Sequence, residues 1–196
     1  MIYVYQEAAK QTQPLDFLTK EVFIICPCET SIRVAGVVED SIVDGPGNRL
    51  TVFVQGCLRN CPGCHNPQAQ PLDGGRDVYV DDLVAIIKQN PLLTGLTISG
   101  GEPMGQPCGC KMLAASAKAL GLNVWVYTGF TFEEIITENH SPRIAFLKEI
   151  DVLVDGAYDE KKRNLTLPFR GSGNQRIIDV PASLKAGRAV LLNEYR

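Results

Sequence analysis

The sequence predicts an α/β protein built on one sheet of mainly parallel strands. Apolar segments of strand length alternate with segments of helical periodicity, and the connections between them are short. With 196 residues, 45% of them hydrophobic, the chain is long enough to form a single core. The sheet is either open or rolled into part of a barrel. In both cases ligands bind at the carboxyl ends of the strands.

The individual elements follow from periodicity and from end signals. Gly121 ends one helix at the position that glycine favours, and Thr131 with Glu134 forms a capping box that begins another. Asn90 and Pro91 end the first helix. Strands are predicted over 50–55, 96–99, 123–127, 151–154 and 176–180, and helices over 79–89, over 111–120 and from Thr131 onward.

The two ends of the chain differ in how clearly they are patterned. Residues 1–30 show no clean period and are interpreted as an N-terminal extension, so that the domain spans 31–196. The first residues lack the basic-then-apolar pattern of a secretory signal, and no apolar run approaches the ~20 residues that cross a bilayer. A net charge of −3 without a basic run indicates neither nucleic acid nor membrane as a partner. We therefore expect a cytoplasmic protein.

Three of the seven cysteines stand together directly after a predicted strand. Cys57, Cys61 and Cys64 have the spacing C-x3-C-x2-C. Thiolates suit iron–sulfur clusters, and a cubane normally takes four of them, so three from one loop leave one iron open to a substrate. A closed zinc site is the alternative, with a fourth thiolate from Cys108 or Cys110, because the adjacent His65 is awkwardly placed for joint ligation.

A glycine–glutamate turn follows the next predicted strand. Gly100 and Gly101 let the backbone approach a ligand closely, and the Glu102 carboxylate can accept a hydrogen bond from a ligand ammonium group. A solvated glutamate in an ordinary turn is the alternative. Thr128-Gly129 and Asp155-Gly156 also follow predicted strands, so all four segments are expected to meet at one edge of the sheet.

Together, the cysteine spacing and the Gly-Gly-Glu turn resemble the radical S-adenosylmethionine (SAM) superfamily. The resemblance implies a partial, open TIM-type barrel of parallel strands with outer helices. It also implies that the three cysteines hold a [4Fe–4S] cluster. SAM would be bound by residues of the two motifs and of the later strand ends: Gly63, Cys64, His65, Asn66, Gly100, Gly101, Glu102, Thr128 and Asp155. Gly63 departs from the pattern, since an aromatic residue often stands there, and Asp155 is about as well explained as an aspartate that closes a turn.

The segment 44–49, Asp-Gly-Pro-Gly-Asn-Arg, resembles the signature of the enzymes that activate glycyl-radical enzymes. An ordinary Pro-Gly turn is the alternative. Segments 125–130, 151–156 and 169–176 resemble those of the activating enzyme of anaerobic (class III) ribonucleotide reductase. The resemblance covers about residues 32–180, and the residues His65 to Pro67 also occur in activating enzymes of pyruvate formate-lyase.

The resemblance implies a reaction in which the cofactors carry the chemistry. An electron donor such as flavodoxin or ferredoxin reduces the cluster, SAM is split, and the 5′-deoxyadenosyl radical takes a hydrogen atom from a glycine of the partner reductase. No catalytic side chain beyond the cluster and SAM site is required. The alternatives are an activating enzyme of another glycyl-radical enzyme, a radical SAM enzyme with a small-molecule substrate, and a non-enzymatic binding module stapled by zinc.

The remaining cysteines form two close pairs, Cys26 with Cys28 and Cys108 with Cys110. Pro103 and Pro107 place the second pair in a turn beside the expected SAM site. Four thiolates could hold a second metal, zinc or iron–sulfur. Four reduced cysteines without a ligand are the alternative.

Overall fold

A computed structural model describes residues 30–195 of the chain, which form one seven-stranded sheet with helices beside it. The strands are β1 (Ser31–Ser41), β2 (Arg49–Val54), β3 (Arg76–Tyr79), β4 (Gly95–Gly100), β5 (Asn123–Tyr127), β6 (Val152–Asp155) and β7 (Arg176–Asp179). The α-helices are α1 (Val80–Gln89), α2 (Pro107–Ala119), α3 (Phe132–Glu138), α4 (Ser141–Leu147) and α5 (Val180–Ala186). The predicted extension over residues 1–30 lies outside this range except for Thr30.

The strand order across the sheet is β3-β1-β2-β4-β5-β6-β7. The central strands β2, β4, β5 and β6 run parallel to one another, whereas β1, β3 and β7 pair antiparallel with their neighbours. Because β3 and β7 are the two edges, the sheet does not close. The predicted α/β class with an open, partial barrel is confirmed, and the strand predicted over 176–180 is present as the antiparallel edge strand β7.

The elements that the sequence analysis missed are the short or half-exposed ones. Strand β1 alternates between buried and half-buried residues only in its first half, and β3 has no buried residue. Helices α4 and α5 have seven residues each, which is too short for a clear helical period. Helix α2 begins at Pro107 rather than at residue 111, so Cys108 and Cys110 lie in its first turn and not in a preceding loop.

The two faces of the sheet are packed differently. In β5, Val124 and Val126 point into the main hydrophobic core, which also contains apolar residues of α1, α2 and α4. Trp125, between them, points to the opposite face and packs in a smaller cluster with Tyr195 near the C-terminus. This alternation is expected for a strand, and none of the described residues in the smaller cluster belongs to an α-helix. Within residues 30–195 no helix is long and apolar enough to cross a membrane.

Candidate functional site

A cavity of about 770 Å³ opens at the carboxyl ends of the parallel strands. Its wall contains most of the residues predicted for the site: Cys57, Cys61, Cys64, His65, Asn66, Gly100, Gly101, Glu102 and Thr128. Gly129 and Gly156 line it as well, so all four segments that follow the strands meet there. Gly63 and Asp155 are not among the lining residues.

The three cysteines of the loop after β2 are free thiols, and each is partly buried. Burial raises the pKa of the Cys57 thiol, while backbone hydrogen bonds from the loop oppose this increase. Among residues 30–195, no three His, Cys, Asp or Glu side chains are placed to hold a single metal ion.

The cysteine loop turns sharply and is covered by a later segment of the chain. Gly63 has a φ of +69°, a conformation that glycine adopts readily. A Cβ atom at Gly63 would lie 2.8 Å from the Glu160 carboxylate. The rings of His65 and Tyr158 also lie next to each other, with centroids 4.7 Å apart. The segment around residues 158–160 therefore occupies the space in which an aromatic residue in place of Gly63 would pack.

The turn after β4 is packed against the start of the cysteine loop through its backbone. Gly101 N donates to the Val54 carbonyl at 2.7 Å, and Glu102 N donates to the Gly56 carbonyl at 2.9 Å. Gly100 has a φ of +98°, and a Cβ at Gly101 would lie 2.4 Å from the Gly56 oxygen. Both glycines are thus required by the close approach of the two segments.

Glu102 is buried at the base of the cavity, and protein groups fix its carboxylate. Oε1 accepts from Thr128 Oγ1 at 2.6 Å and from Met104 N at 3.0 Å, and Oε2 accepts from Gly129 N at 2.9 Å. Burial raises the pKa of Glu102, and these three donors act in the opposite direction. A carboxylate held in this way is prepared for a cationic ligand group.

Asp155, another predicted ligand contact, has protein partners for both carboxylate oxygens. It is fully buried, accepts from Phe132 N at 2.8 Å, and forms an ion pair with Arg176. Arg176 also pairs with Glu133 at 2.6 Å. The carboxylate thus ties the start of α3 to β7, and a direct contact between Asp155 and SAM stays a prediction.

Arg49, at the end of the segment 44–49, has a structural position that the sequence analysis did not assign. It is 1% exposed, and its guanidinium donates to Thr97 Oγ1 and to the carbonyls of Leu96 and Asn123 at 2.7–2.9 Å. Burial lowers the pKa of Arg49 to about 10. The side chain anchors the loop that brings Asp44 to the cavity wall. The signal available was an arginine directly before the predicted strand over 50–55.

The remaining cysteines do not form a site within the described residues. Cys26 and Cys28 lie outside them, and Cys110 is completely buried in the main hydrophobic core. Cys108 is not among the free thiols. A second metal site at these four residues therefore stays a prediction.

The residues of the cavity fit an iron–sulfur cluster and SAM. Three free thiols on one loop face a buried carboxylate and a glycine turn, and the cavity volume is in the range of small-molecule sites. The open α/β sheet with this site at its strand ends defines an iron–sulfur enzyme of the radical SAM class.

Comparison with known proteins identifies the family. The family model described as "4Fe-4S single cluster domain" matches residues 43–178. Proteins named anaerobic ribonucleoside-triphosphate reductase-activating protein are similar over most of their length. The one from Salmonella typhi is 32% identical over 142 residues, 68% of this chain and 90% of its own. The protein from Vibrio cholerae is 33% identical over 145 residues, which cover 69% of this chain and 90% of that protein. The protein from phage T4 is 30% identical over 142 residues, which cover 69% of this chain and 86% of that protein. The chain belongs to this family of reductase-activating proteins.

One solved structure is partly similar. QueE from Escherichia coli matches with a TM-score of 0.42 and 17% identity over 53% of this chain and 54% of its own. A likeness at that level carries no inference about activity.

Proposed function

We propose that this protein cleaves SAM reductively at a [4Fe–4S] cluster held by Cys57, Cys61 and Cys64, and so generates a glycyl radical on an anaerobic ribonucleotide reductase. The observation that carries the proposal is the single cavity in which three free thiols face the buried Glu102 carboxylate. The names of the relatives, which match over most of their length, support the reductase as the partner.

The side chains have roles that their positions support. The three thiolates hold the cluster, which supplies the electron that splits SAM when both are bound. Glu102 accepts a hydrogen bond from the SAM ammonium group, and Gly100 and Gly101 allow the ligand to approach the backbone. The surrounding wall keeps water from the reacting atoms.

Apolar residues around the cavity favour a protein substrate over a small molecule. Ile42, Val43, Leu58 and Leu165 are 73%, 72%, 83% and 76% exposed, and Val43 and Leu165 line the cavity opening. Exposed apolar side chains grouped at one opening are typical of a surface that binds another protein. A protein partner fits this entrance, because the backbone C–H of its glycine must reach the cavity.

An anaerobic assay tests the function in two stages. The protein is reconstituted with iron and sulfide, reduced with dithionite and given SAM, and 5′-deoxyadenosine is measured. The reductase or, in a parallel reaction, pyruvate formate-lyase is then added, and the glycyl radical is measured by electron paramagnetic resonance. We expect both products with wild type and neither with Cys61→Ser. A radical on pyruvate formate-lyase instead of the reductase would overturn the choice of partner.

Three further parts of the proposal concern the setting of the reaction. The electron donor is a low-potential protein such as flavodoxin or ferredoxin, and replacing dithionite with each of them tests it. The protein works in the cytoplasm, where thiols stay reduced. Residues 31–196 form the radical SAM domain, and deleting residues 1–29 should leave SAM cleavage intact.

A second metal site at Cys26, Cys28, Cys108 and Cys110 has less support, since Cys110 packs in the apolar core. The metal content of a Cys26→Ser, Cys28→Ser double variant tests it. Unchanged iron and zinc stoichiometry would remove this part of the proposal.

A further inference from the structure

Arg59 lies between the first two cysteines of the loop, and its side chain extends into the cavity towards Glu102. Arg59 Nε is 4.0 Å from Glu102 Oε2, and the guanidinium lies over the Phe130 ring at 4.1 Å from its centroid. Arg59 Nη2 is 3.5 Å from Glu134 Oε2. Three groups from other parts of the chain therefore hold this guanidinium in one place.

Gly129 allows the arginine to take this path. A Cβ atom on Gly129 would lie 2.3 Å from Arg59 Cδ and 2.7 Å from Arg59 Nε. Gly129 and Arg59 both line the cavity. Any larger residue at 129 would push the guanidinium away from the Glu102 carboxylate.

One hydrogen-bond donor of Arg59 is left unused. Arg59 Nε is buried, and among the described residues it has no hydrogen-bond partner. A buried N–H of a charged group that lacks an acceptor is costly, and such groups often mark a place where a ligand supplies the acceptor.

Glu102 does not need Arg59 to hold its position. Its two oxygens already accept three hydrogen bonds, from Thr128, Met104 and Gly129. The 4.0 Å separation between Arg59 Nε and Glu102 Oε2 is longer than a hydrogen bond. The arginine is therefore available to a ligand that binds beside the carboxylate.

We propose that Arg59 binds the α-carboxylate of SAM while Glu102 binds its ammonium group, so that the two side chains recognise the zwitterionic methionine end. The inference rests on the proposed function, because it takes SAM as the ligand of this cavity. A carboxylate is the acceptor that matches a guanidinium N–H best, and SAM carries its carboxylate next to its ammonium group. Arg59 is in this way a specificity-determining residue contributed by the cysteine loop itself.

The test compares two ligands that differ only in the α-carboxylate. Dissociation constants of SAM and of decarboxylated SAM are measured by anaerobic equilibrium dialysis on cluster-loaded protein, with the cluster kept oxidised so that SAM is not consumed. In Arg59→Gln we expect SAM to bind about ten- to hundredfold more weakly, as for the loss of one charged hydrogen bond. Decarboxylated SAM should change by no more than about twofold, because it lacks the group that Arg59 binds.

Arg143→Gln is the matched control. The Arg143 guanidinium lies over the same Phe130 ring at 4.4 Å, but Arg143 does not line the cavity. Both ligands should bind to this variant within about twofold of wild type. Arg59→Lys keeps the positive charge but lacks the planar guanidinium group, so its SAM affinity should fall between those of wild type and Arg59→Gln. If Arg59→Gln binds less iron than wild type, the affinities for SAM and decarboxylated SAM are compared in Arg59→Lys instead.

Each other outcome has a definite meaning. Equal weakening of both ligands would show that Arg59 only supports the loop, and tighter SAM binding would show that it competes with the ammonium group for Glu102. Unchanged SAM affinity would also overturn the inference. If wild type binds SAM, these results leave the proposed function standing, whereas wild type that binds no SAM overturns the function itself.

Discussion

The two loops that form the cavity differ in how much of their geometry the protein fixes by itself. The Gly100–Glu102 turn is locked by backbone hydrogen bonds to Val54 and Gly56, and its carboxylate accepts three more. The cysteine loop is more exposed: Leu58 is 83% exposed and Asn60 has a positive φ. Among the backbone hydrogen bonds of this loop, Cys57 N donates to the Gln70 carbonyl and Cys64 N donates to the Cys61 carbonyl.

In the proposed function, this difference corresponds to the two cofactors. A carboxylate fixed in advance binds a small cation without further ordering of the protein. An exposed loop that carries the thiols is suited to folding around a metal cluster, which then orders it. In the proposed function, the glycine turn is preorganised for SAM, and the cysteine loop obtains its final order from the cluster.

The largest expected effect comes from removing a thiol of the cysteine loop. Cys61→Ser should lose the cluster and all SAM cleavage, because two thiolates cannot replace three in holding a cubane. The loss of the cluster is measured as iron content, and the loss of SAM cleavage as 5′-deoxyadenosine formation. Cys110→Ala removes a thiol that lies in the hydrophobic core, away from the cavity, and should keep its full iron content. A fully loaded Cys61→Ser would contradict the assignment of the ligands.

The next effect tests the fixed geometry of the glycine turn. Gly101→Ala places a Cβ 2.4 Å from the Gly56 oxygen and 2.8 Å from the Ala69 oxygen, both of them backbone atoms. We expect the free energy of unfolding to fall by about 3 kcal/mol, measured by denaturant titration. Gly105→Ala, with nothing within 4 Å of its Cβ, should change it by no more than about 0.5 kcal/mol. Equal effects of the two changes would mean that the turn is not packed as described.

A smaller effect is expected from one donor to the buried carboxylate. Thr128→Val removes the hydroxyl that donates to Glu102 Oε1 at 2.6 Å. We expect SAM to bind about tenfold more weakly, as for the loss of about 1.4 kcal/mol. Because this hydrogen bond lowers the pKa of Glu102, its loss raises that pKa. The weakening should therefore be larger at acidic pH, where more of the carboxyl is protonated and cannot attract an ammonium group.

Thr51→Val is the control for this experiment. The Thr51 hydroxyl is fully buried in β2 and has no hydrogen-bond partner among the described residues. Its removal should leave SAM affinity unchanged at every pH. A pH-independent loss of affinity in Thr128→Val would show that the hydroxyl acts by packing and not through the charge of Glu102.

The smallest effect is expected from a substitution of a glycine in the cysteine loop. Gly63→Ala puts a side chain at a φ of +69°, which costs about 1 kcal/mol. The nearest obstacle is the end of the Glu160 side chain, which can move. Iron content after reconstitution should stay close to that of wild type. Complete loss of iron would mean that this loop is as rigid as the glycine turn, and the difference between the two loops would disappear.

The sequence predicted well the features that depend on neighbours along the chain. The apolar segments gave the central strands, and the capping box of Thr131 and Glu134 is present at the start of α3. The rule that ligands bind at the carboxyl ends of parallel strands placed the cysteines, the glycine turn and Thr128 around one cavity. Strands β1 and β3 were missed because their periodicity is weak.

The sequence by itself determined the class of the protein, because cofactor chemistry requires particular residue types at fixed spacings, and C-x3-C-x2-C with Gly-Gly-Glu meets that requirement. Only the tertiary structure decided the partners of the charged side chains. Asp155 is engaged by Arg176, Arg49 is buried among carbonyl groups, and Arg59 reaches Glu102. These pairs join residues far apart in the chain, and a charge is stabilised by whichever groups the fold brings within a few ångströms.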